Sequence, residues 1–146
     1  MNVSGISLTI LVCLALLVSG VSALNVEKTK EYSVTPAGNL HIPTLKPLVT
    51  STIYQGQVVV YSRVVSPGTP SMITDLNWGN PANSLSLTIV APDGALGPYY
   101  DSSDGTTNGR IALSVSSPTG LTPGTWLFYL DGYRVTGSQA YSFLTY

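Results

Sequence analysis

The residues able to do chemistry in this chain are few, and their types narrow what that chemistry can be. Histidine occurs once, as His41, between Leu40 and Ile42-Pro43 with no carboxylate beside it. A nucleophile, base and acid set needs a histidine oriented by a carboxylate, so His41 reads instead as a surface or edge-strand residue. The single cysteine, Cys13, and the single histidine cannot fill a usual zinc ligand set. The aspartates Asp75, Asp93, Asp101, Asp104 and Asp131 remain for paired acid/base work. Asp93 and Asp131 precede glycines, where a short side chain bonding its own backbone accounts for the choice. The expectation is a protein that is not an enzyme.

Two stretches are better suited to binding. Asp101-Ser-Ser-Asp-Gly-Thr-Thr-Asn108 concentrates oxygen atoms of the kind that hard cations take. Asp101, Asp104 and Asn108 are therefore candidate ligands for Ca²⁺, in a loop without EF-hand spacing or a bidentate Glu. No other cofactor is implied. Just before that loop, Tyr99 and Tyr100 offer aromatic faces beside hydrogen-bonding groups, a combination that holds a sugar or a peptide chain. Trp78 and Trp126 read as core residues.

Composition sets the surroundings in which these residues act. Residues 1–23 read as a signal peptide, with an apolar run over 6–18 and the small-residue cleavage site Val21-Ser-Ala23. A secreted or cell-surface location follows, with membrane contact only through this segment if it stays uncleaved. Cys13 leaves with the signal, so the remaining chain must stabilise itself by burial alone, and about 120 residues suffices for one core. Net charge is −1, with 6 basic and 7 acidic side chains. Nothing in that balance attracts nucleic acid, which calls for a dense basic stripe.

The elements that must position these residues are strands. Turn signals recur every 8 to 12 residues, among them Pro67-Gly68, Gly79-Asn-Pro81, Pro92-Asp-Gly94, Asp104-Gly105, Asp131-Gly132 and Thr136-Gly137. Between them the residues alternate with period two. Leu85, Leu87 and Ile89 face a core while Ser84, Ser86 and Thr88 face water; Ile111, Leu113 and Val115 repeat the pattern, as do Trp126, Phe128 and Leu130. The stretch Gln57-Val-Val-Val-Tyr-Ser-Arg-Val-Val65 is apolar on both faces and predicts a central strand covered on both sides. Asp131-Gly132 predicts a tight hairpin turn, so that Tyr141 and Phe143 return as a closing edge strand. Residues 24–50, with prolines at 36, 43 and 47, predict an extended arm with one edge strand, which reads either as a loosely ordered leader or as a strand that adds to another chain's sheet. Residues 51–146 then form an all-β, antiparallel β-sandwich of jelly-roll type.

In order along the chain, Gly56-Gln57, Ile73-Thr-Asp-Leu-Asn-Trp78, Leu85-Ser-Leu-Thr-Ile-Val-Ala-Pro-Asp-Gly94, Gly124-Thr-Trp126 and Val135-Thr-Gly-Ser-Gln-Ala-Tyr141 form a set that resembles the pre-peptidase C-terminal domain of bacteria and archaea. The resemblance covers about residues 52–144 and implies a secreted jelly-roll sandwich that accompanies proteases. Family members often carry acidic residues where this chain has Ser84 and Ser86. The implied function is a binding or assembly module whose partner is an extracellular protein, matrix or polysaccharide. The alternative is a self-associating subunit of a surface layer or filament, built by strand addition through the arm.

Overall fold

The computed structural model describes residues 31–37 and 49–146. The signal segment, Cys13, His41 and the rest of the arm lie outside the described residues. Alternating side chains become nine strands among the described residues: β1 Ser33–Pro36, β2 Val49–Tyr54, β3 Val58–Val65, β4 Ser71–Asn77, β5 Ser84–Ala91, β6 Gly94–Tyr99, β7 Arg110–Ser116, β8 Gly124–Arg134 and β9 Ser138–Thr145. One 3₁₀ turn, Asp101–Asp104, precedes β7.

Strand β2 pairs with β9, β3 with β8, β4 with β7 and β5 with β6, all antiparallel. The chain from β2 onward is therefore one long hairpin, its tip at Pro92-Asp93, rolled so that successive pairs fall in alternate sheets. Pairing of β4 with β9 and of β5 with β8 completes the two sheets, ordered β1-β7-β4-β9-β2 and β3-β8-β5-β6. This is the jelly-roll β-sandwich expected from the alternation, extended by β1 at one edge.

The inward faces are those the alternation predicts. Leu85, Leu87, Ile89, Ile111, Leu113, Val115, Trp126, Phe128 and Leu130 are all essentially inaccessible. Phe143 joins the layers, stacked on Tyr61 with centroids 5.2 Å apart and tilted against Phe128 at 5.4 Å. The hydroxyls of Tyr61 and Tyr141 share a hydrogen bond of 2.6 Å, tying β3 of one sheet to β9 of the other.

Three expectations about strand placement are corrected. Strand β3 is an edge strand, not a central one, and Val58, Val60 and Val64 on its outer face are 53%, 46% and 73% exposed. Its run of valines reads as doubly covered because each face is apolar, yet only the Val59, Tyr61 and Val65 face meets the core. Asp131-Gly132 is not a turn, since β8 runs through it. Gly132 donates to the Gln57 carbonyl and accepts from the Gly56 N–H, both at 2.9 Å, and a Cβ at Gly132 would overlap the Tyr54 carbonyl oxygen. The glycine marks a close approach and a bulge, which shifts register so that Ser84 faces Arg134 and Ser86 faces Asp131. The chain turns instead at Thr136-Gly137, where Gly137 has φ 71°. Strand β9 is thus neither the hairpin partner of β8 nor an edge, but lies between β4 and β2 in the opposite sheet.

Within the arm, Ser33–Pro36 does form an edge strand, paired with Leu113–Ser116 of its own chain rather than a neighbour's. Tyr32 fastens it. The Tyr32 ring meets Trp126 edge-on at 5.3 Å, its hydroxyl donates to Asp93 at 2.5 Å, and the Thr122 hydroxyl donates to the other Asp93 oxygen at 2.6 Å.

Two predictions follow from these contacts. Gly132→Ala costs about 3 kcal/mol by overpacking two strands, against about 1 kcal/mol for Gly68→Ala, whose Cβ meets open space and whose cost is the positive φ alone. Urea midpoints of the two variants measure the difference, and equal costs would restore Asp131-Gly132 as a turn. Burial, with hydrogen bonds to Asp93 and Tyr141 adding, raises the pKa values of Tyr32 and Tyr61 above the ordinary tyrosine value. The native state then keeps protons that the unfolded chain loses, so this stabilisation is complete below about pH 10 and is lost as pH rises through the native values. The urea midpoint falls above about pH 10, and Tyr61→Phe makes that fall shallower.

Candidate functional site

Of the sequence candidates, the oxygen-rich loop is assembled, but around the backbone. Asp101 is 5% exposed, and its Oδ1 accepts the N–H groups of Asn108 and Gly109 at 3.0 Å and of Arg110 at 3.2 Å. Consecutive N–H groups converging in this way make an anion nest, and the Asp101 carboxylate fills it. Gly109 passes the connection on, since its carbonyl accepts from Trp78 and Gly79 at 2.8 Å each. No side chain fits at Gly109, where a Cβ would overlap the Asn80 nitrogen. Asp104 accepts from the Thr106 N–H and hydroxyl at 3.2 Å and, through Oδ2, from the Ala112 N–H at 3.1 Å. The Asn108 amide donates to the Thr106 hydroxyl at 3.4 Å. The three candidate calcium ligands thus share one loop, in which the carboxylate oxygens of Asp101 and Asp104 accept from N–H and O–H donors while the Asn108 amide donates. Among the described residues no group of three or more His, Cys, Asp or Glu side chains is arranged to hold a metal ion.

Two other aspartates also have structural partners. Arg110 grips Asp75 with two hydrogen bonds of 2.8 Å, from Nε and Nη2. This bidentate carboxylate raises the arginine pKa further. Asp93 holds the Tyr32 latch described above.

The adjacent tyrosines part company. Tyr99 ends β6 and packs against the core, where burial raises its pKa. Tyr100, next in the chain, lies on the outer face of the four-stranded sheet, in edge contact with Tyr133 at 5.0 Å and 61°. Around that pair the outer sheet face forms a groove. On one side a cavity of about 460 Å³ is lined by Val58 of β3, Tyr129, Asp131 and Tyr133 of β8, Ser86, Thr88 and Val90 of β5, Pro98 of β6, and Tyr100. On the other, about 440 Å³ is lined by Pro81, Ser84, Asp101, Ser102, Thr107 and Arg134, with Tyr100 and Tyr133 shared. Tyr129 and Tyr133 are 36% and 48% exposed.

Period two explains the clustering: with Trp126, Phe128 and Leu130 turned inward, Tyr129, Asp131 and Tyr133 must point outward, beside Ser84, Ser86 and Thr88 of β5, of which Ser86 is only 6% exposed rather than open to water as its alternation suggests. At the bulge the alternation breaks, and the successive residues Tyr133 and Arg134 are both exposed. Neither the Asp131 carboxylate nor the Arg134 guanidinium has a hydrogen-bond or ion-pair partner among the described residues. Sequence reasoning reached Tyr100, took Asp131 for a turn residue and missed Tyr129, Tyr133 and Arg134, because a turn at Asp131-Gly132 interrupts the strand that presents them. The signal was present in the unbroken alternation Leu127, Tyr129, Asp131, Tyr133.

In comparisons with protein-family models and with curated proteins, the chain matches none.

The loop geometry predicts that Asp101→Ala, which strips acceptors from three backbone donors, costs about 3 kcal/mol in urea unfolding. It also predicts an unchanged melting temperature when millimolar Ca²⁺ is added to the chelator-treated protein. A rise of several degrees would instead make Asp101, Asp104 and Asn108 a calcium site.

Proposed function

We propose that this chain is a secreted, non-catalytic binding module that holds an extended polymer on the outer face of its four-stranded sheet, at the cell exterior. The observation that carries the reading is the groove itself. Three tyrosines, two half-exposed, stand over a floor of serine and threonine hydroxyls, beside a carboxylate and a guanidinium that have no partner among the described residues. Aromatic bodies with polar tips suit faces that must hold a ligand and remain wet.

Location outside the cell is supported by the apolar leader at residues 1–23 and by the cysteine-free, charge-poor composition of the remainder. The resemblance to pre-peptidase C-terminal domains adds the role: an accessory domain that keeps a secreted peptidase at its extracellular substrate or matrix. Membership of that family is part of the proposal. The filament alternative draws less support, because the arm strand Ser33–Pro36 is already paired within its own sheet and held there by Tyr32.

Co-sedimentation of the purified protein with insoluble glucan, pectate and fibrous protein tests the reading. Retention by at least one polymer is expected, with a loss of tenfold or more in affinity for the triple variant Tyr100→Ala, Tyr129→Ala, Tyr133→Ala, on the order of what truncated aromatic anchors cost. Retention by none of them, or equal retention of the variant, would overturn it. Sedimentation of the protein alone should give a monomer.

A further inference from the structure

We infer that the polymer held by the groove of Tyr100, Tyr129 and Tyr133 is a neutral polysaccharide, its sugar rings laid on the tyrosines and its hydroxyls bonded by Asp131, Arg134 and the β5 hydroxyls. The inference rests on the binding-module reading above and specifies the ligand of that same site.

Backbone availability separates a sugar chain from a peptide. The groove crosses the face of the sheet, and the strands of its floor are saturated: β8 pairs with β3 and β5, and β5 pairs with β8 and β6. A peptide laid there finds no free row of N–H and C=O groups to extend, which is the usual source of affinity in strand addition. A sugar ring needs no such row. It presents a C–H face to an aromatic ring and a rim of hydroxyls, each both donor and acceptor, to whatever polar groups stand beside it.

The polar groups present match that rim. Asp131 only accepts, Arg134 only donates, and Ser84, Ser86 and Thr88 can do either. All five line the two cavities. A carboxylate and a guanidinium without partners among the described residues are the groups best able to bond a hydroxyl strongly.

Charge decides against an acidic polymer. The groove sets one Arg134 against one Asp131, with the Asp101 carboxylate turned inward to its nest, and there is no lysine among the described residues. A polyuronate or a sulfated chain calls for an excess of cations along its path. Here the half-buried Asp131 and the exposed Arg134 cancel in charge. Pre-arrangement favours binding as well, because the Tyr100–Tyr133 edge contact holds both rings before any ligand arrives, which reduces the ordering cost.

Native affinity electrophoresis of the purified protein tests this, in gels containing hydroxyethylcellulose, galactomannan, soluble starch, polygalacturonate or polyproline. Retardation is expected in at least one of the three neutral gels, little changed at about 0.5 M NaCl, where exposed charge pairs are screened. Tyr133→Ala should weaken it about tenfold and Asp131→Asn by severalfold. Both residues lie outside the core, and unchanged circular dichroism checks that the variants remain folded. Retardation by polygalacturonate alone or by polyproline alone, lost in Tyr133→Ala, would overturn the neutral-sugar inference while leaving the binding groove standing. Retardation in a neutral gel that survives both Tyr100→Ala and Tyr133→Ala would place sugar binding elsewhere and overturn it too. No retardation in any gel would overturn both the inference and the reading beneath it.

Discussion

Strand β8 carries the constraint on which the remainder depends: a β-strand turns successive side chains to opposite sides, so whatever this strand gives the core it must also give the surface. Trp126, Phe128 and Leu130 fill the space between the sheets, and with no cysteine among the described residues their burial bears much of the stability. Burying a large side chain of this kind contributes about 2 to 3 kcal/mol. The same spacing delivers Tyr129, Asp131 and Tyr133 to the outside. Trp126 reaches further, since its indole N–H is held by the Thr122 carbonyl at 2.8 Å while its ring receives Tyr32 and so seats the N-terminal strand.

The outer face is shaped by two devices that act on the backbone. Gly132 lets β8 approach the Tyr54 carbonyl closely enough for the bulge to form, and the bulge leaves Tyr133 and Arg134 both exposed at one end of the groove. Asp101 gathers three N–H groups and so fixes the loop that follows Tyr100. Tyr100, just before that loop, stands in edge contact with Tyr133.

How far the sequence could be read depended on whether the deciding neighbour was local. Strands β5 and β7 were legible because each carries its own contrast, leucine and isoleucine against serine and threonine. Strand β3 was misplaced because valine on both faces states only that burial is tolerated, not that a second layer exists. Asp131-Gly132 misled for a related reason: a glycine that permits a turn and a glycine that permits a close approach look the same until the approaching strand is known. In the Asp101 loop, the Asp101 carboxylate meets N–H groups seven to nine residues away, from Asn108 to Arg110, a pairing that oxygen-rich composition does not announce.

What the sequence by itself determined is most of the strands and, where apolar and hydroxyl residues alternate, the side each residue takes, since period two is a property of a single chain segment. It therefore specified an all-β sandwich and nearly all of its core. Tertiary structure alone decided which strands are neighbours, which edges stay open and which polar groups remain unpaired. Those outcomes depend on partners far apart in the chain, such as Tyr61 with Tyr141 or Tyr32 with Asp93. The tyrosine groove belongs to this second class. It exists because β8 runs straight through Asp131-Gly132 and meets Tyr100, a convergence set by packing of the two sheets rather than by any local pattern.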